Sequence, residues 1–120
     1  MSLLDKETVK RAEKALKDFD KSLSVIVLDK SAHTAHDAAS SLSCEVGAIV
    51  KSLLFRTEDS FILSLVAGDK RCSLNKLKKI TNKKDISMAT PEDVKNQTGY
   101  TIGGVSPVGH LKWVKILIDN

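Results

Sequence analysis

Aromatic side chains are scarce in this chain: three Phe, one Tyr and one Trp, 4% of 120 residues. With 42% of the residues hydrophobic, the core has to be built from Leu, Ile, Val and Ala. Rings interleaved with basic residues, on which unpaired bases stack, are absent as well. The two cysteines, Cys44 and Cys72, form neither a C-x-x-C pair nor a zinc-ligand spacing. His33, His36 and His110 add no zinc pattern to Cys44, so no metal is expected. Apolar runs reach only strand length, too short for a membrane span, and Met1-Ser2-Leu3-Leu4-Asp5-Lys6 holds no apolar signal core. There is no Walker A loop and no zinc-deaminase signature. Gly103, Gly104 and Gly109 have the wrong spacing for a dinucleotide-binding loop. No cofactor is therefore expected. The length is that of one domain over residues 1–120. The chain reads as cytoplasmic, with reduced thiols and no membrane partner.

What is present is unevenly placed. Nineteen Lys and Arg against fifteen Asp and Glu leave a formal charge of +4, which permits an anionic partner without requiring one. Seven basic residues and no acidic one fall between Lys70 and Lys84, namely Lys70, Arg71, Lys76, Lys78, Lys79, Lys83 and Lys84. That stretch is either a solvated helix face or a surface that attracts a phosphate backbone. Four of the six glycines and one of the two prolines fall between Gly99 and Gly109. Such a segment serves either as a tight connection or as a loop whose main-chain N–H groups approach a ligand and hold an oxyanion.

The elements follow from local pattern. Val9, Ala12, Leu16 and Phe19 form an apolar stripe at helical spacing. Leu23 to Leu28 reads as a short buried strand. Thr34-Ala35-His36-Asp37 fits a capping box opening a helix through Ala38, Ala39 and Leu42. Ile49–Arg56 and Phe61–Val66 read as strands of a hairpin joined by residues 57–60. Gly68-Asp69 turns the chain, Ser73 caps a basic helix to Lys79, and Asp85–Met88 is a weak strand. Thr90-Pro91-Glu92-Asp93 opens a helix that Gly99 ends. Trp113–Ile118 is a closing strand. Hairpins mixed with helices predict an α+β fold with a mixed sheet.

One side chain stands out. Alternation along the first hairpin strand puts Lys51 on one face with Ile49, Leu53 and Phe55. A lysine there is either a gatekeeper on an outer strand or a functional cation lining a cavity. Cys44, between a helix and an apolar segment, reads as a small core residue. A thiol-dependent enzyme using Cys44 is a further reading, which iodoacetamide would separate.

Several pieces, in this order, resemble one family. They are His33-Thr34-Ala35, Ile49-Val50-Lys51-Ser52-Leu53, Gly68-Asp69, Leu74-Asn75-Lys76-Leu77 and Ala89-Thr90-Pro91-Glu92-Asp93. Thr98-Gly99-Tyr100 then leads into Gly103-Gly104-Val105-Ser106-Pro107-Val108-Gly109. From about His33 to Asp119 the chain is similar to the YbaK/ProX aminoacyl-tRNA deacylases, which are related to the editing domain of bacterial prolyl-tRNA synthetases. The resemblance implies a mixed, barrel-like sheet flanked by helices. It implies hydrolysis of the ester that joins a wrong amino acid to the acceptor end of a tRNA. Lys51, Gly103 and Gly104 match its catalytic positions. His33, Thr34, Asp69, Gly99, Ser106 and Pro107 match the helix entry, the acid after the hairpin and the substrate loop. Cys44 is placed with them as a pocket residue that tunes substrate choice.

On this reading Lys70, Arg71, Lys76, Lys78 and Lys79 hold the tRNA body without reading sequence. The partners it implies are a mischarged tRNA and, beyond it, an aminoacyl-tRNA synthetase. No Ser-His-Asp or Cys-His set is evident, so water is the expected nucleophile. Two features depart from the family's pattern. Val108 stands where a phenylalanine is common, and a turn, strand and helix commonly follow the position of Asp119. A non-catalytic tRNA- or synthetase-binding module of the same fold is the alternative.

Overall fold

The computed structural model describes residues 6–26, 34–102 and 104–118. Helix α1 (Glu7–Phe19) half-buries Val9, Ala12 and Leu16 on the side that the periodicity predicts, while Phe19 is left exposed. The strand expected over Leu23–Leu28 does not form in its described part. Asp20 draws the chain into a turn instead. Its Oδ1 accepts from the Ser22 N–H and hydroxyl at 2.9 and 2.8 Å, and its carbonyl accepts from Leu23 N–H. Val25 N–H goes to the Glu13 carboxylate (3.1 Å) rather than to a strand, and Leu23 and Ile26 are exposed. Residues 27 and 28 lie outside the described residues.

Helix α2 (Ala35–Leu42) starts at Thr34, whose hydroxyl accepts from Asp37 N–H at 3.1 Å. Only this half of the expected capping box is present among the described residues. After a tight helical turn over Val46–Ala48, strands β1 (Val50–Arg56) and β2 (Phe61–Ala67) form the predicted hairpin. Helix α3 (Leu74–Thr81) is capped by Ser73, and β3 (Ser87–Met88) is two residues long. Helix α4 (Pro91–Thr98) carries the full box: the Thr90 hydroxyl takes Asp93 N–H (3.1 Å) and the Asp93 carboxylate takes Thr90 N–H (3.3 Å). Gly99 ends it at φ 80°, a left-handed conformation that glycine adopts without penalty. Strand β4 (Lys115–Ile118) closes the order.

The sheet runs β3-β1-β2-β4, antiparallel except for the parallel β2–β4 pair. It is mixed, as predicted, but open rather than barrel-like. Its edges are a two-residue strand and a four-residue strand at opposite ends, whereas closure needs strands of matched length and a continuous stagger. Both faces are covered. Leu54 and Leu63 pair across the hairpin and pack with Ala89, Val94 of α4 and Val114. On the other face Phe55 packs with Leu77 of α3 and Ile86, with Leu53, Cys72 and Leu117 against them. Central β2 is accordingly buried along most of its length.

Candidate functional site

A cavity of about 410 Å³ opens where α2, the first half of β1 and the glycine-rich segment meet. Thr34, Ala35 and Ala38 form one wall, Ile49 to Leu54 the floor, and Ile102, Gly104 and Val105 the opposite wall. Met88, Ala89 and Val94 complete it. Its lining is mainly aliphatic with a few polar groups, the composition expected of a small-molecule site.

Close backbone packing holds the α2 wall in place. Gly68, in the turn after β2, donates its N–H to the Ile49 carbonyl at 2.6 Å. A Cβ at Gly68 would collide with the Val46 carbonyl oxygen and come within 2.9 Å of the Ala35 Cβ. Asp69 beside it is exposed and holds its carboxylate against Gly47, where a Cβ would stand 3.0 Å from Oδ2. Asp69 thus borders the turn that seats α2 and does not line the cavity.

Lys51 is half-buried and lines the cavity at the start of β1, pairing in register with Val66. It shares its face with Leu53 and Phe55, as alternation predicts. Its ammonium donates to the carbonyl of Lys70, just past the hairpin. None of the ion pairs among the described residues involves it.

The glycine-rich segment is a loop drawn closed at its base. Thr98 carbonyl accepts from Leu111 N–H (3.3 Å) and Gln97 carbonyl from Lys112 N–H (3.0 Å). Buried Tyr100 donates its hydroxyl toward the Val108 and Gly109 carbonyls at 2.9 and 3.2 Å. Gly109 sits at φ 73°, with no room for a Cβ beside the Tyr100 hydroxyl. Further along, the Ser106 hydroxyl accepts from Val108 N–H (3.2 Å), and its carbonyl lies 2.7 Å from His110 Nε2.

The sequence-predicted residues are only partly brought together. Lys51, Thr34 and Gly104 line one cavity. Gly99, Ser106 and Pro107 shape the loop but are not among its lining residues. His33 and Gly103 lie outside the described residues. Gly104 N–H, expected to point at a ligand, donates to the Thr101 carbonyl at 2.9 Å. Cys44 is exposed rather than a core residue, and it lies away from the cavity. Its N–H caps the Ala39 carbonyl where Ser43 turns the chain left-handed (φ 56°), so α2 ends before the thiol can be covered.

Of the basic stretch, Lys70, Arg71, Lys76 and Lys79 are exposed and Lys78 is half-buried. Arg71 and Lys76 border a second cavity of about 310 Å³ beside α3. Lys83 pairs with Asp59 at 3.0 Å across the hairpin turn. That contact, with help from Thr57, holds the Asp59 carboxyl below the usual carboxylate range.

Sequence reasoning missed Arg11, which reaches from α1 to the loop base. Its place on the amphipathic helix signals an i,i+4 pair with Glu7 and nothing farther. Among the described residues no three His, Cys, Asp or Glu side chains form a metal-ligand group, and no helix is long and apolar enough to cross a membrane.

Comparison with known proteins matches residues 29–120 to a family described as the aminoacyl-tRNA editing domain. A proline–tRNA ligase of Fervidobacterium nodosum is 36% identical over 87 residues, covering 72% of this chain and 15% of the ligase. One from Kosmotoga olearia is 34% identical over 119 residues, 99% of this chain and 19% of the ligase. The chain therefore spans less than a fifth of the length of these synthetases. A crystal structure of a protein proposed as a trans-editing enzyme for prolyl tRNA synthetase superposes with a TM-score of 0.89 at 38% identity. That alignment covers 95% of this chain and 73% of the other.

Proposed function

Because this chain belongs to the aminoacyl-tRNA editing domain family, we propose that it hydrolyses the ester between a wrongly attached amino acid and the 3′ end of a tRNA. The observation that carries the reading is the meeting of Lys51 and the glycine-rich loop on one cavity in a domain of that family. The aliphatic walls take the amino acid side chain. Selection is by size: steric exclusion rejects larger side chains, while a missing methylene costs a hydrophobic pocket only about 1–3 kcal/mol.

Lys51 supplies positive charge to a terminal phosphate or to the oxygen that becomes negative as water attacks. Its ammonium rests on the Lys70 carbonyl, an uncharged partner that an anion displaces readily. N–H groups of the loop, from Gly103 and Gly104, hold the ester carbonyl. For Gly104 this requires a small turn of the peptide away from Thr101. Oxyanion donors of this kind contribute about 2.7–4 kcal/mol each. Among the described residues that line the cavity there is no Ser-His-Asp or Cys-His set. A water oriented by the substrate's own ribose hydroxyl attacks the carbonyl carbon, and positioning supplies much of the acceleration. Thr34 at the N-terminal end of α2 borders the entrance. Lys70, Arg71, Lys76, Lys78 and Lys79 hold the tRNA backbone electrostatically, so binding weakens steeply with salt.

The test is deacylation of a panel of labelled aminoacyl-tRNAs by the wild type and Lys51→Ala in parallel. Selective loss of one small amino acid, slowed about 100-fold or more in the variant, is the expected result. Equal turnover by both proteins removes Lys51 from the mechanism. Binding of tRNA without turnover on any substrate favours a non-catalytic module.

A further inference from the structure

The wall of the cavity formed by Ile102, Gly104 and Val105 belongs to a loop with two stems, residues 98–100 and 108–110. One side chain from outside the loop grips both. Arg11 of α1 donates from Nε to the Gly109 carbonyl at 2.7 Å and from a terminal nitrogen to the Thr98 carbonyl at 3.2 Å. Its guanidinium lies 4.7 Å from the centre of the Tyr100 ring, within cation–π range. The other terminal nitrogen pairs with Glu7 at 3.0 Å, and the side chain is only 20% exposed. A Cβ at Gly99 would strike the Arg11 guanidinium. Tyr100, beneath the guanidinium, reaches the opposite stem through its hydroxyl.

We infer that Arg11 is a positioning residue of the editing site, a clasp that fixes the span between the two stems and so the shape of the loop wall. The inference rests on the hydrolase reading for its kinetic consequence, but not for its structural one. A planar fork with donors at fixed separation can bridge two carbonyls while stacking on a ring, and a lysine ammonium cannot do all three. The clasp comes from a helix that lies N-terminal to the family match at residues 29–120. Its hydrogen bonds to the loop go to backbone carbonyls alone, so no acceptor side chain in the loop's own sequence reports it. Misplacement of a loop donor by about 1 Å is enough to slow a positioned reaction about 100-fold.

The experiment uses the full chain and four variants: Arg11→Met, Arg11→Lys, Tyr100→Phe and Glu7→Gln. Backbone hydrogen exchange is followed at residues 99–112 and, as a reference, in β1 and β2. Deacylation is measured on the substrate found for the wild type. Arg11→Met is expected to speed loop exchange about tenfold or more with the hairpin unchanged. It should lower kcat tenfold to a hundredfold while KM moves less than about threefold.

Arg11→Lys should resemble Arg11→Met, because the fork rather than the charge is needed. Tyr100→Phe should shift both readouts in the same direction by less, and Glu7→Gln should match the wild type. If Arg11→Met unfolds the whole chain, Tyr100→Phe decides through the same two readouts. Unchanged loop exchange in Arg11→Met, or loosened loops with unchanged kcat, overturns the clasp. Rescue by Arg11→Lys overturns the fork. A wild type that hydrolyses nothing while Arg11→Met still loosens the loop sinks the hydrolase reading and leaves the clasp standing.

Discussion

Replacing Gly68 by alanine should destabilise the protein out of proportion to one methyl group. The added Cβ would collide with the Val46 carbonyl oxygen and stand 2.9 Å from the Ala35 Cβ and 3.2 Å from the Ile49 carbonyl oxygen. Two of these are backbone atoms and the third is a methyl fixed to a helix, so no side chain can rotate away. Overpacking of this kind costs about 1–3 kcal/mol. The hydrogen bond from Gly68 N–H to the Ile49 carbonyl would be stretched, a further loss of about 1 kcal/mol. Reduced freedom of the unfolded chain offsets about 0.4–1 kcal/mol. The net expectation is a loss of about 1–3.5 kcal/mol, centred near 2, a large share of the roughly 5–15 kcal/mol typical of a domain.

Urea titration followed by far-ultraviolet circular dichroism measures it. With a slope of about 1–3 kcal/mol per molar, the midpoint should fall by roughly 1 M or more without a change of slope. Gly104→Ala is the matched control. Its nearest contact would be 3.7 Å away, and its stability should stay within about 0.5 kcal/mol of the wild type. A Gly68→Ala protein as stable as Gly104→Ala would refute the claim that close packing at Gly68 seats α2 against the hairpin.

Two further outcomes follow from local chemistry. The Asp59 carboxyl is held below its ordinary value by the hydrogen bond from Lys83, so that contact stabilises the fold above the ordinary carboxylate range. Its contribution should be lost as pH falls through the lowered folded value. The difference in melting temperature between wild type and Asp59→Asn, recorded from pH 7 downward, should therefore be constant near neutrality and vanish in acid. Cys44 is exposed and Cys72 half-buried against the Ser64 hydroxyl, its Sγ 3.6 Å from Oγ. Iodoacetamide should modify Cys44 first, and deacylation should survive that modification. Its loss would bring the thiol into the mechanism.

The parts of the fold that were legible in the sequence are those fixed by neighbours in the chain. The box at Thr90-Pro91-Asp93, the Ser73 cap and the hairpin around residues 57–60 depend on groups a few residues apart, and each appears where expected. The strand expected over Leu23–Leu28 does not form in its described part, because an apolar run reports a tendency to be buried but not whether a partner edge is there to take its N–H groups. Asp20 and Glu13 satisfy part of that segment instead. Closure of the sheet was misjudged for a similar reason, since the lengths of β3 and β4 are set by tertiary pairing. Strand alternation put Lys51 on the face of Leu53 and Phe55, where it lies, and glycine density marked the segment that forms the loop. What escaped was direction: that Cys44 faces solvent, that Gly104 N–H turns back on Thr101, and that Arg11 crosses from α1 to both stems. None of these leaves a periodic trace.

The parallel pairing of β2 with β4 bears on the order of assembly. The hairpin of β1 and β2 closes over four residues, but Ile62 meets Lys115 only after α3, β3, α4 and the glycine loop have been laid down. Contacts so distant in sequence form late, because the intervening chain must first lose its freedom. The glycine loop is the last connection before β4, and its base is stitched by residues immediately preceding that strand. The loop that walls the cavity and the strand that completes the sheet are thus separated by only a few residues, so the placement of one bears directly on the other.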